Sequence, residues 1–193
     1  MSKINSHRHF TLHKPYGYLS QFVVNGKQKK RNKLLGELYN FPEGTMAIGR
    51  LDRDSEGLLL LTTDGKVSYE VLNNKYEKEY YVQVDGIFTQ KAIEQLQKGV
   101  EIGFEGKKYF TKPCKASLIN TPTHLPLENR KERDLRHGPM SWASITLTEG
   151  KYRQVRKMTT AVGFPTLRLI RVRIGTIHLD ISSGEVVEVE EFL

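Results

Sequence analysis

Cysteine is nearly absent from this 193-residue chain: Cys114 stands alone. A single thiol excludes an intramolecular disulfide and a cysteine-based zinc site, and it suits a reducing compartment. No segment approaches the roughly 20 apolar residues that span a bilayer. The opening MSKINSHRHFTLHK also lacks the apolar core of a secretory signal. The expectation is therefore a cytoplasmic protein without a membrane segment. His7, His9 and His13 have no neighbouring cysteine or acid to complete a ligand set, so they read as surface histidines, and no metal is expected. Negative charge is the other shortage. Thirty Lys and Arg face twenty-two Asp and Glu, a formal net charge of +8. Such an excess favours a polyanionic partner, because neutralised phosphates release condensed counterions. No glycine–serine linker or internal repeat divides the chain, and its length suits one domain over residues 1–193.

Within these limits the pattern is α+β, with a broad sheet and few helices. Phe10 opens a strand that Pro15 breaks, and a turn passes through Gly17. NGKQKKRNK, residues 25–33, is a basic loop with five cations and no acid. Asn32 is placed to cap a short helix, KLLGELYN. MAIG and GLLLLT read as two strands flanking the charged loop RLDRDSE, the second of them buried on both faces. A helix follows near residue 65. KEYYVQV alternates as a strand with Tyr80, Val82 and Val84 on one face, and Thr89 caps QKAIEQLQKGV. Residues 101–120 read as a strand, a turn at Glu105-Gly106 and a return near KASLIN. Thr121–Pro139 is rich in charge and proline without a sustained period, which makes it a long exposed loop available to RNA. SWASITL is a strand, YRQVRKMTTAV a helix ended by Gly163, and TLRLIRVRIG and EVVEVE are strands.

Three features carry candidate chemistry. Asp52, beside Arg50 and Arg53, is a carboxylate that nearby positive charge favours in its ionised form, ready as a nucleophile or charge stabiliser. An ion pair closing a turn would need the same residues. In EGKYRQVRKMTTAVGF, Val155, Met158 and Val162 repeat at helical spacing and leave Arg153, Arg156 and Lys157 on another face. Lys151 to Arg173 holds seven basic residues and no acidic one, whereas the last fifteen residues hold five acids and no base. Either Tyr80 or Tyr81 must face a cleft above the sheet, where a ring can stack on an unpaired base. A carboxylate, an arginine-bearing helix and an aromatic together suit a flipped nucleotide.

GRLDRDSEGLLLLTTDG, with HKPYG upstream and GKYRQVRKM downstream, resembles the RsuA-type family of bacterial rRNA pseudouridine synthases across nearly the whole chain. DRDSEG and GFPTLRLIR look most like its E-type large-subunit enzymes. The resemblance implies the pseudouridine synthase fold, a broad mixed and largely antiparallel sheet with flanking helices around a central catalytic cleft. It also implies conversion of a uridine in large-subunit (23S) rRNA to pseudouridine, without a cofactor and with a monomeric enzyme. Many relatives begin with an S4 RNA-binding domain, for which the chain ahead of KPYG has no room.

By the same resemblance Asp52 is the nucleophile or, in another version of the mechanism, the group that steers glycosidic cleavage and proton removal. Tyr80 stacks on the uracil and is a candidate to move a proton. Arg156 forms an ion pair with Asp52, and Arg50 fills the space the flipped base vacates. Arg53, Lys14, Arg153 and Lys157 complete the expected RNA contacts. Lys151-Tyr152 stands where relatives often have Arg-Asn, a departure placed to adjust RNA contact. Two rival readings remain at this stage. One is a catalytically idle RNA-binding or assembly factor. The other is a glycoside hydrolase, which needs a second carboxylate about 5 to 9 Å from the first, with Asp54 and Glu56 as candidates.

Overall fold

The computed structural model describes residues 7–24, 32–73, 76–125, 130 and 133–192. In chain order its elements begin with β1 (His9–Lys14), β2 (Tyr18–Leu19) and β3 (Lys33–Leu34), followed by a 3-10 turn (Leu35–Glu37). Next come β4 (Met46–Ile48), β5 (Glu56–Thr62), α1 (Gly65–Asn73), β6 (Lys78–Asp85) and α2 (Gln90–Lys98). β7 (Glu101–Phe104), β8 (Lys107–Phe110), β9 (Lys115–Ile119) and a 3-10 turn (Leu135–His137) lead to β10 (Met140–Leu147) and α3 (Gln154–Ala161). β11 (Thr166–Ile174), β12 (Ile177–His178) and β13 (Val186–Val189) close the chain. Among the described residues, no helix is long and apolar enough to cross a membrane.

The main sheet runs β13-β1-β5-β11-β6-β10-β9, with β4 paired to β5 and β12 to β11. Every pairing is antiparallel except that of β5 with β11. The two halves of the sheet meet at this one parallel seam, where Ile170 faces Glu56 and Arg171 faces Gly57. Gly57 has φ +108, and a Cβ there would lie 2.3 Å from the Arg171 carbonyl oxygen. The sequence therefore needs glycine where β5 and β11 close together.

Leucines fill both faces of β5. Leu58 and Leu60 join a core cluster with Trp142, Ile170 and Val172, against which Val67 and Val71 of α1 pack. Leu59 and Leu61 join Phe10, Leu12 and Leu35 on the other side. A strand buried on both faces reads as a continuous apolar run, and each leucine contributes about 2 kcal/mol. A third cluster unites Val82, Val84, Ala143 and Ile145 with Ala92, Ile93 and Leu96 of α2 and Val155 and Met158 of α3. Thr89 caps α2 by accepting from the Ala92 amide at 3.1 Å.

Three sequence expectations change, and one residue of an exposed loop turns inward. Asn32 caps no α-helix: Lys33 and Leu34 form β3, and the 3-10 turn is anchored by Glu37, whose Oε1 accepts from the Leu34 amide at 2.8 Å. Gly36 and the short apolar face make a one-turn 3-10 segment sufficient. Of the basic stretch 25–33, residues 25–31 lie outside the described residues. The return after Glu105-Gly106 is β8, which forms its own hairpin with β7, while KASLI is β9 at the end of the main sheet. His13 is fully buried rather than at the surface, with Nδ1 2.9 Å from the Ile181 carbonyl. Most described residues of 121–139 are exposed, as expected, but Arg130 turns inward: its Nη1 reaches buried Glu56 at 2.7 Å, and its guanidinium lies 3.8 Å from the Tyr16 ring centroid.

Candidate active site

Asp52 lies in the loop between β4 and β5, and its neighbours are pinned on both sides. Ser20 Oγ donates to the Leu51 carbonyl at 2.8 Å and accepts from the Leu51 amide at 2.9 Å. The Gly17 amide donates to the Arg53 carbonyl at 2.8 Å, and the Ser55 amide closes the turn on the Asp52 carbonyl at 3.0 Å. The KPYG turn is thus a brace for the loop. Backbone anchoring of this kind presets the direction of the carboxylate before any ligand arrives.

The three acids of DRDSE have different fates. Glu56 is completely buried and held bidentately by Arg168, with Nε–Oε2 at 2.9 Å and Nη2–Oε1 at 2.8 Å, besides the Arg130 contact. Asp54 takes both Nη atoms of Arg153 at 2.9 Å. Burial pushes the Asp54 carboxyl upward, but the Arg153 hydrogen bonds and the Arg156 charge outweigh it and hold the group below the ordinary aspartate value. Asp52 receives a single contact from Arg153 Nη1 at 3.3 Å and keeps 29% of its side chain accessible. Asp54 is at least as exposed, at 37%, and lines the same cleft, but both its oxygens are held by Arg153, whereas among the described residues only one Asp52 oxygen takes a hydrogen bond.

The arginines trade their expected places. Arg156, assigned to Asp52 by motif, instead donates from Nη2 to the Asp54 carbonyl at 2.7 Å and the Ser55 hydroxyl at 3.3 Å, and lies 3.5 Å from Asp54 Oδ2. Burial lowers the Arg156 pKa, and the Asp54 charge offsets part of that effect. Arg153, assigned to RNA, makes the ion pair with Asp52. The reason lies in its backbone: Arg153 is in the left-handed region, φ 52 and ψ 34, at the start of α3. That conformation disfavours a side chain by about 1–3 kcal/mol and turns this one inward to the loop. Gln154 supports the turn, accepting from the Lys151 amide at 3.0 Å and donating to Glu149 at 2.7 Å. A left-handed arginine has no signature in sequence, so periodicity alone left its direction open.

Lys14 is the clear correction. It is fully buried, and Nζ donates to the Pro15 and Tyr18 carbonyls at 2.9 and 2.7 Å. Its ammonium organises the KPYG turn from inside and cannot reach RNA. Desolvation lowers its pKa to about 7, against the opposing pull of Glu56, Asp54 and Asp52. Arg50 and Arg53 are exposed at the cleft, and Arg53 Nε is 3.4 Å from the Gly17 carbonyl. Lys157 Nζ donates to the Gly103 carbonyl at 2.8 Å on the outer side of α3.

Asp52, Tyr80 and Arg153 line one cleft of about 1050 Å³ above the parallel seam. Tyr80 is opposite Arg171 in the sheet register and packs against the cluster that includes Val155 and Leu169. The cleft thus brings together a carboxylate, a guanidinium and an aromatic side chain. Sequence reading missed Arg171, which is buried, lines the cleft, and donates from Nε to the Leu58 carbonyl at 2.8 Å. It also gave Asp54 and Glu56 only as candidates for hydrolysis. Glu56 is sealed, and Asp54, though exposed to the cleft, has both oxygens bound by Arg153, so neither stands as a free second carboxylate for that chemistry.

The RNA pseudouridylate synthase family model matches residues 8–161. The chain belongs to that family. Its relatives include ribosomal large subunit pseudouridine synthase E of Xanthomonas axonopodis pv. citri, 40% identical over 88% of this chain and 86% of that protein. The synthase E of Vibrio parahaemolyticus is 41% identical over 93% of this chain and 72% of its own length. A solved pseudouridylate synthase superposes with a TM-score of 0.75 at 25% identity, covering 98% of this chain and 73% of that one. As a member of the pseudouridine synthase family the protein is an RNA-modifying isomerase with the pseudouridine synthase fold.

Proposed function

We propose that the protein isomerises one uridine of large-subunit rRNA to pseudouridine, with Asp52 as the nucleophile. The names of its relatives at about 40% identity support the substrate. One observation carries the assignment of the site: Asp52 meets Arg153 through one oxygen only, at 3.3 Å, and shares the cleft with Tyr80, whereas both oxygens of Asp54 are taken up by Arg153.

The target uridine swings out of its helix and enters the cleft, at a cost of a few kcal/mol of lost stacking. Tyr80 stacks on the uracil and returns part of that energy. The Asp52 carboxylate attacks C1′ and the bond from C1′ to N1 breaks, leaving its electron pair on the uracil. The ring then turns, C5 bonds to C1′ as Asp52 departs, the C5 proton leaves and N1 gains one. Substrate and product are isomers, so the balance requires no co-substrate. Tyr80 is the candidate to move the C5 proton. Arg153 holds the Asp52 carboxylate in line, and Asp54, gripped by Arg153 and Arg156, keeps Arg153 from closing fully on it. Arg156 acts through Asp54 and Ser55 as a positioning residue. Arg50, exposed at the mouth, fills the gap in the RNA stack, with Arg53 beside it on the phosphates.

The sheet is continuous from β13 to β9, which supports one catalytic domain; action as a monomer is part of the same proposal. A cytoplasmic site of action belongs to the same proposal. The test is to map pseudouridines in cellular large-subunit rRNA with and without the protein. The expected result is one uridine that loses its modification and regains it with the restored gene; an unchanged map rejects the assignment.

A further inference from the structure

At the α3 end of the cleft lies a second cluster that the chemistry at Asp52 leaves unused. Lys151 and Tyr152, in the turn entering α3, line the cleft. Phe104 and Tyr109 project from the β7–β8 hairpin beside them. Lys151 Nζ sits 4.7 Å from the Phe104 ring centroid and 5.1 Å from that of Tyr109. Lys157 Nζ sits 5.4 Å from the Tyr152 centroid and 6.0 Å from that of Phe104, and is also tied to the Gly103 carbonyl. Both ammonium groups are therefore held by rings, which reduces the freedom each would lose on meeting an anion.

The nearby acids leave these charges standing. Glu149 is occupied by neutral donors, the Tyr109 hydroxyl, the Lys112 amide and Gln154 Nε2, while Glu101 pairs with Lys108. Among the described residues no carboxylate lies within ion-pair distance of Lys151 or Lys157. Tyr152 is 68% exposed, so burial gives it little part in folding. Tyr152 carries Lys157 over one face of its ring and follows Lys151 in the chain; at the edge of the cleft, such an exposed ring with cations beside it fits single-stranded nucleic acid: the ring for a base, the lysines for phosphates.

We propose that Tyr152 is a stacking platform for an unpaired nucleotide next to the target uridine, with Lys151 and Lys157 holding the phosphates around it. The inference rests on the reading of the cleft as a uridine pocket. Pulling a uridine out of the strand exposes the face of its neighbour, and a ring at the rim covers that face. A neighbour that is already unpaired gains more than one locked in a duplex, so the platform also selects the form of RNA that is modified.

The test is a binding cycle on a short single-stranded RNA with a central uridine, intact or carrying an abasic nucleotide at one flanking position at a time. Tyr152→Ala should weaken binding of the intact RNA about tenfold, the size of one lost stacking contact, while Tyr152→Phe keeps wild-type affinity. At one flanking position the abasic RNA should lose a similar factor with wild type and nothing further with Tyr152→Ala. Lys151→Ala and Lys157→Ala should each flatten the dependence of affinity on salt. Equal binding of the intact RNA by wild type and Tyr152→Ala, or abasic penalties identical in the two proteins at every position, overturns the proposal. The cycle reads binding alone. A wild-type protein that formed no pseudouridine would remove the catalytic reading and leave the outcome of this test unchanged.

Discussion

Arg153 grips Asp54 with both terminal nitrogens at 2.9 Å and touches Asp52 with one of them at 3.3 Å. The unequal sharing of one guanidinium between two carboxylates sets what each can do. Both Asp54 oxygens are engaged as an anchor, whereas Asp52 is met by a single longer contact.

Replacing the anchor should therefore damage chemistry more than binding. In Asp54→Asn the charge that holds Arg153 away is gone, and the guanidinium can close on Asp52. The expected result is a fall in kcat of about 10- to 100-fold with RNA affinity within a few-fold of wild type. Single-turnover kinetics beside an equilibrium binding titration check the split.

Tyr80→Phe preserves the ring and deletes the hydroxyl. If the hydroxyl moves the C5 proton, turnover should fall by about 10²- to 10⁴-fold, while affinity for RNA changes little because stacking is retained. A normal single-turnover rate would leave proton movement to another group.

Beneath the catalytic loop, Glu56 is sealed between Arg168 and Arg130. Glu56→Gln keeps the shape and removes the charge, leaving a buried guanidinium without its counterion. Breaking one side of such a pair costs about 3–5 kcal/mol, which urea denaturation would register as a lower midpoint with an unchanged slope. Arg130→Ala should cost less, since Arg168 still neutralises Glu56.

Lys14 supplies a pH signature. Its pKa is about 7 in the folded protein against an ordinary 10.5. Between these values the unfolded chain binds a proton that the folded chain does not, so the Lys14 contribution to stability rises with pH across this window and is flat below about 7. The difference in stability between wild type and Lys14→Met should therefore shift in favour of wild type as pH rises from 7 toward 10. Denaturation midpoints for both proteins across that range give the comparison.

Much of this was legible in the sequence, and the exceptions share a cause. The four leucines of GLLLLT marked a strand buried on both faces, Thr89 marked the start of α2, and the spacing of Val155 and Met158 marked the buried face of α3. These are local rules, and the fold obeys them. Asp52 and Tyr80 could be placed on one cleft by motif, and they do line one cleft. Partner choice was not local. Whether Arg153 or Arg156 meets Asp52 depends on a left-handed backbone at Arg153, and neither helical period nor charge pattern encodes it. Lys14 looked like a cation for RNA because burial is invisible in a charge count. Arg130 looked like part of an exposed loop because its partner, Glu56, is 74 residues away. The fold turned three apparent surface charges inward, while Arg50, Arg53 and Lys151 stay at the cleft and Lys157 lies outside it on α3.

The central claim concerns Asp52 itself, and one measurement addresses it most directly: release of tritium from large-subunit rRNA labelled at uridine C5, by wild type and by Asp52→Asn, alongside RNA binding by both. C5 must lose its hydrogen when it bonds to C1′, so release reports the isomerisation. The account predicts release by wild type, none above background by Asp52→Asn, and comparable binding by the two proteins. Undiminished release by Asp52→Asn would contradict it.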